Sequence, residues 1–509
     1  MKLRPAARRL CAVLFALAAA SLYGQTDALN EDEYYLLEEE GEGITIVASP
    51  ETTQQKKTIT REEIEKIHAA DLPALLEQAL DIPVTRYGPR GSAAEINIRG
   101  FDTERIAVLV NGIPVNSPLS GDFDFAGIDL DSVERIEVIY GGSDSKYNVS
   151  GALGGVINIV TVKKQEKGLK FSGSVSNTSA LPGRYNKQYG GVGGARWEDL
   201  ADAQNLHLSA AYGAGDWSLA LNAFGSRAGN HFLYKDYYGF ARRKEGNELA
   251  DGGFSGIWLR ELSDGYSKLI AGADIYSGVK QVPSSGDTRE GALEKDFVTR
   301  ENIMLDMPAL GEKIGMEASL SHSWYRMDYD TLGEDSLHRM HNFDLINRWS
   351  LFPLEKLTLR SGFDYRFSYL DSTNTGTLFG NRGGLYFNAE YAPLEALLIV
   401  PSVKVVLQDR DAKIQAAPIP KLGLSLQAAE NITIKNNYFR SFKYPDFEDL
   451  YWIQEGFYGN RDLKNEDGWG TDLGVEITFG KPNTKTPNYR LEGGGFAQWT
   501  VNSIHWSYQ

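Results

Sequence analysis

The sequence predicts a small α+β domain followed by a large transmembrane antiparallel β-barrel. Three observations point there. The chain has 509 residues, too many for one ordinary globular core, so it needs several domains or one very large closed sheet. Its 11% aromatic content, with 26 Tyr and 53 Gly at a mean hydropathy of -0.34, suits half-buried strands and tight turns. After residue 25 no apolar run approaches the ~20 residues of a spanning helix, yet apolar and polar residues alternate over long stretches, as lipid-facing strands do.

In chain order, residues 1–24 read as a secretory signal. Lys2, Arg4, Arg8 and Arg9 lead a short apolar stretch from Leu10 to Ala20, too short to span a bilayer. Cys11 lies inside it, so the exported chain is expected to hold no cysteine, which excludes disulfides and thiolate chemistry. Residues 25–49 form an acidic, flexible arm that contributes to a net charge of -16, a balance that argues against nucleic-acid binding. The arm contains Ile44, Thr45, Ile46, Val47 and Ala48, a β-branched run between polar flanks that suits strand addition to another protein's sheet edge.

Residues 50–165 alternate short helical and strand patterns. Thr60 and Glu63 make a capping box ahead of Ile64, and Asp71 followed by Pro73 starts a second helix. Strands are expected at Ile96–Gly100, Ile106–Val110, Val133–Tyr140 and Gly155–Val162, with Asn111–Gly112 as a tight turn. Arg99, Glu134, Arg135 and Glu137 are charges set among Ile96, Ile98, Ile136, Val138 and Ile139, so pairing or water must support them.

The run DIPVTRYGPRGSAAEINIRGF, then VLVNGIPVN, then SVERIEVIYGGSDSKYNVSGALGGVINIVTVK resembles, in order and spacing, the plug domain of TonB-dependent outer-membrane receptors. Gly142 and Asn148 depart from the usual proline and glycine of that pattern. The resemblance implies a plug lodged inside the barrel, with Ile44 to Ala48 as the coupling segment for TonB. It also implies that Arg99, Glu134, Arg135 and Glu137 fix the plug to the barrel wall.

Residues 168–509 carry the barrel pattern. Leu357, Leu359, Phe363, Tyr365, Phe367 and Tyr369 alternate with Thr358, Arg360, Asp364, Arg366 and Ser368, which predicts one face to lipid and one to a polar lumen. About 15 such segments can be counted, against the ~22 of plugged outer-membrane transporters. FRSFKYPDFEDLYW and GNRDLKNEDGWGTDLGVEI resemble the receptor family's barrel motif through Phe442, Pro445, Leu450, Tyr451, Asn460, Leu463, Glu466 and Gly474. Several strands normally follow that motif, so the expectation is a barrel lacking its last strands.

The resemblance implies a receptor and active transporter in the outer membrane, partnered by TonB, outer-membrane lipid and a small-molecule ligand such as a ferric siderophore or cobalamin. No catalytic constellation is found, and no phosphate-binding loop that would supply energy from a nucleotide. A passive porin or an adhesin on the same barrel is the alternative, and the plug argues against the porin. Ligand contacts are expected from two outward plug loops, through Tyr87 and Arg90 in one and Asn116, Ser120, Asp122, Phe123 and Asp124 in the other. No cofactor or metal is expected; Asp122, Asp124, Asp129 and Asp131 are the weighed candidates for calcium, without an EF-hand pattern. Haem is disfavoured, because no histidine lies between Arg440 and Leu463.

Overall fold

The computed structural model describes residues 53, 55–87, 90–91, 93–141, 152–161, 164–180, 197–235, 241–244, 246–282, 291–311, 313–331, 335–410, 413–479 and 489–506. The signal, the acidic arm with Ile44 to Ala48, and Gly142 and Asn148 lie outside the described residues.

The plug domain contains β1 (Lys56–Thr60), α1 (Arg61–Ile67), α2 (Leu72–Leu80), β2 (Val84–Arg86), β3 (Ala94–Ile96), β4 (Ile106–Val110), β5 (Ile113–Pro114), β6 (Arg135–Tyr140) and β7 (Gly155–Val160). Both expected helix starts form. Thr60 and Glu63 exchange the reciprocal bonds of a capping box, and Asp71 accepts from the amide of Ala74 at 2.8 Å. The sheet runs β1-β6-β7-β4-β5, parallel only between β4 and β7. Ile64, Leu72, Leu75 and Leu76 of the helices pack with Ile136, Val138, Ile157 and Ile159 into one core. Asn111 and Gly112 turn at φ 52° and 78°, a conformation that Asn and Gly tolerate best.

The expected strand at Ile96–Gly100 is corrected. Its β-ladder stops at Ile96, and Arg99 and Gly100 have φ of 55° and 86°. Ile98 and Phe101 exchange backbone bonds of 2.9 and 3.0 Å across this two-residue turn. The buried Ile96 and Ile98 mimic strand alternation, but the chain reverses just after them.

The second body is one 15-stranded antiparallel sheet of consecutive hairpins, in accord with the expected count. It contains β8 (Gly168–Thr178), β9 (Ala203–Gly213), β10 (Trp217–Ala228), β13 (Leu249–Glu261), β14 (Lys268–Val282), β15 (Ala292–Gly311), β16 (Ile314–Asp330) and β17 (Asp335–Leu354). It continues through β18 (Leu357–Ser372), β19 (Gly376–Leu394), β20 (Leu397–Arg410), β21 (Lys413–Ala429), β22 (Ile432–Lys443), β25 (Glu466–Phe479) and β26 (Tyr489–Val501). Between these lie α3 (Trp197–Leu200), α4 (Phe447–Tyr451) and two small hairpins, β11 (Phe232–Lys235) with β12 (Ala241–Lys244), and β23 (Ile453–Gln454) with β24 (Phe457–Tyr458). β8 and β26 are the edges of the sheet and do not pair with one another.

The outer face carries its own ruler. Ring contacts link Phe297, Trp324, His341, Tyr369 and Phe379 across five strands, at centroid distances of 5.4, 6.0, 6.1 and 5.3 Å. Ion pairs Arg326–Asp328 and Arg339–Asp371 lie one or two outward positions further toward the loops. Leu320, Phe343, Leu385 and Phe387 are exposed on the other side of the row. An aromatic row between charged and apolar bands is the interfacial girdle of a barrel in a bilayer. The turns at one end are short, as at 355–356, 395–396 and 430–431. The connections at the other, 179–202, 229–248 and 444–465, are long, as on the outward side of such barrels.

Candidate functional site: the plug seated in the barrel

The hairpin β4–β5 and the loop after it face the barrel wall. Asn116 braces that loop from within: its side chain accepts from the Val108 amide at 2.7 Å and donates to the carbonyls of Ile106 and Gly121 at 3.0 and 2.9 Å. The hairpin's outward carbonyls are gripped by the wall. Arg348 donates to Gly112, Tyr325 to Val115, and Arg366 to Pro114 and Asn116. Each arginine is held by its own acid, Arg348 by Glu317 and Arg366 by Asp344, so the lumenal charges are compensated before they touch the plug.

Other contacts join plug and wall. Arg105, buried, bonds Glu466 at 2.8 Å, Asp102 at 2.5 Å and the carbonyl of Ile504 at 2.5 Å. Asp124 caps the turn at Phe125 and pairs with Lys280 of β14 at 2.9 Å. Asp129 meets His207 of β9 at 2.7 Å. Arg99 reaches Asp472 of β25 at 3.4 Å and lies over the ring of Phe496.

The predicted residues sort as follows. Arg99 touches the wall. Glu137 does not: its carboxylate bonds Lys56 at 2.8 Å, Asn158 at 3.0 Å and Arg135 at 3.2 Å, all in the plug, so it ties β1 to β6 and β7. Although burial opposes ionisation, these donors hold Glu137 at about 2. Glu134 follows the turn at Ser132, and its backbone amide bonds the Val160 carbonyl at 2.8 Å. Tyr87 is 65% exposed and donates to Glu95, a bond that raises its phenol. The carbonyl of Arg90 accepts from Asn230 at 2.8 Å. Ser120 accepts from the amide of Asp122. Phe123 is buried edge-on against Phe125 at 5.0 Å; it belongs to the plug core, so its expected ligand role is corrected. Asp122 is exposed, yet the protein around it opposes its ionisation and pushes it up to about 6.

The four aspartates considered for calcium do not converge. Asp124 shares Lys280 with Glu294 and Asp296, so an ammonium already fills that cluster. Asp129 and Asp131 meet His207, with the Arg61 guanidinium 3.6 Å from Asp131.

Above this contact sits a feature that the sequence did not reveal. Helix α4, in the loop after β22, lies on the plug loop: the amide of Glu448 donates to Leu119 at 2.8 Å and that of Phe447 to Pro118 at 3.4 Å. Lys443 pairs with Asp446 at 2.9 Å and stands 4.0 Å from both Glu104 and Asp449. With one ammonium among so many carboxylates, burial pushes Glu104 up to about 8 and Glu448 up to about 7. A cavity open to solvent, lined by Asn116, Arg366, Arg382, Lys443 and Phe447, lies between plug loop and wall.

Known proteins share this arrangement. Residues 49–156 match the TonB-dependent receptor plug domain, and residues 140–500 match the TonB-dependent receptor-like β-barrel. The vitamin B12 transporter BtuB of Vibrio cholerae serotype O1 is 25% identical over 477 residues, covering 90% of this chain and 70% of that one. BtuB of Vibrio vulnificus is 23% identical and covers 97% and 76%. Among solved structures, the ferric enterobactin receptor PfeA superposes with a TM-score of 0.68 at 17% identity, covering 84% of this chain and 70% of that one. The siderophore receptor PirA from Acinetobacter baumannii superposes at 0.66 with 12% identity, covering 87% and 77%. With a plug seated in a 15-stranded sheet and family matches across both bodies, this chain belongs to the TonB-dependent receptor family of outer-membrane β-barrel proteins.

Proposed function

We propose that this chain is an energised importer of a bulky, scarce nutrient of the cobalamin or ferric-siderophore class, exported by its N-terminal signal and driven by TonB through Ile44 to Ala48. One observation carries the reading: the lumen is occupied by a folded domain whose carbonyls and charges are held by the wall at Arg348, Arg366, Glu466 and Lys280. A plug held in this way obstructs free diffusion, which supports a passage that requires work to dislodge or remodel the plug. The segment 44–48 supplies a place to apply it, by strand pairing with a partner.

Relatives that match over most of the chain are vitamin B12 transporters, which favours a corrinoid over a ferric tris-catecholate as the cargo. Calorimetry on the refolded chain with cyanocobalamin, ferric enterobactin and haem tests the cargo. Saturable binding of cyanocobalamin at least tenfold tighter than the other two is expected; tighter binding of the ferric catecholate overturns this preference.

A further inference from the structure

The plug's first described residues are tied to the barrel before the plug fold begins. Thr53 is 2% exposed and lies against Gly423 of β21, where a Cβ would sit 2.2 Å from its Oγ1. Its carbonyl accepts from Asn437 Nδ2 of β22 at 2.6 Å. The same Nδ2 donates to Asp472 at 2.8 Å, and Asp472 in turn holds Arg99. Arg99 donates to Gln55 Oε1 at 2.8 Å, and the Gln55 carbonyl accepts from the Tyr140 amide at 3.0 Å. The left-handed turn at Arg99 and the Phe496 ring at 4.6 Å fix the guanidinium's place in this relay.

We propose that Thr53 and Gln55, clamped by Asn437 and Asp472 of the wall through Arg99, form a mechanical latch between the coupling segment and the plug. The proposal rests on the reading that residues 44–48 are where force enters. Thr53 follows Ala48 by only five positions, so tension passes along the main chain to Thr53 first. There the wall bears it, and the plug core is shielded. Only when the latch parts does load reach β1. That strand is an edge, with five register pairs to β6 alone, and it can then be stripped from the sheet. Stripping it uncovers Ile59 and removes Lys56 from Glu137, so the second step loosens the sheet from within. The latch sets the order: release from the wall, then loss of β1.

The test pulls the full chain, reconstituted in a bilayer, through a cysteine at position 45 (Thr45→Cys with Cys11→Ser). A short early rupture followed by a second event for β1 is expected. Gly423→Ala displaces Thr53 without disturbing its strand, and Asn437→Ala removes the donor; each should abolish the first rupture and keep the second. An unchanged first rupture in both variants overturns the latch. A second arm joins Thr53→Cys to Gly423→Cys by oxidation. The crosslinked protein should still retain a TonB periplasmic fragment but lose uptake of radiolabelled cyanocobalamin at least tenfold, with recovery on reduction. Full uptake by the crosslinked form overturns the proposal. The pulling arm contains no TonB, so failure of the unmodified protein to retain the fragment refutes the coupling reading separately.

Discussion

Glu137 shows how one carboxylate can hold a sheet together. Its folded value near 2 lies below the usual 4.5, so the stabilisation is present above about pH 4.5 and is lost as pH falls toward 2. Glu137→Gln is expected to cost the plug on the order of 3 kcal/mol at neutral pH, read as a lower plug unfolding transition that approaches wild type only as pH falls below about 2. Arg105 is held differently, between Asp102 and a Glu466 that is 1% exposed. Arg105→Met leaves that carboxylate buried without its guanidinium. It should loosen plug seating by roughly 3–5 kcal/mol, measured as earlier release of the plug in urea. Sequence reading picked out Arg99 because its flanking isoleucines made a charge conspicuous. Arg105 follows the ordinary polar run Asp102–Glu104, and its partner is 361 positions away, a pairing only the fold can supply. Phe123 was misread for the opposite reason: among aspartates it looks like a loop aromatic, yet the chain folds it inward onto Phe125.

At the level of elements, α4 on the plug loop is a closure that responds to protons. Glu104 and Glu448 sit above their ordinary 4.5, at about 8 and about 7, so the folded contact binds protons that the released state gives up. Its stability is therefore greatest at low pH and declines as pH rises from about 5 to 8. Hydrogen exchange at the Glu448 amide, normalised for intrinsic rate, should lose at least fivefold protection between pH 5.5 and 8.5. Glu104→Gln should flatten that dependence, and a profile unchanged by the substitution contradicts the assignment. The helix caps at Thr60 and Asp71 and the Asn111–Gly112 turn were readable because each is a local rule satisfied by adjacent residues. The alternation in β18 was equally readable, and Arg366 does face the lumen. The turn at Arg99–Gly100 was not, since a two-residue reversal keeps the same apolar spacing as a strand. The docking of α4 was hidden because its bonds run through backbone carbonyls, which carry no sequence signature.

The whole molecule joins an apolar outer belt, a polar lumen and a plug whose contacts with the wall are many and mostly charge-assisted. The belt and lumen were legible as period-two alternation over the strands from β8 to β26, and the number of strands as repeated turn signals. The cargo was not, because chamber shape depends on which loops meet over the plug. Such a seated plug makes transport costly without an external pull, and that is the claim to test. Deleting residues 44–48 and measuring cyanocobalamin accumulation in cells, beside equilibrium binding to the purified protein, does so most directly. Uptake should fall to background, at least 50-fold, with binding affinity unchanged within twofold. Sustained uptake by the deleted protein contradicts the account.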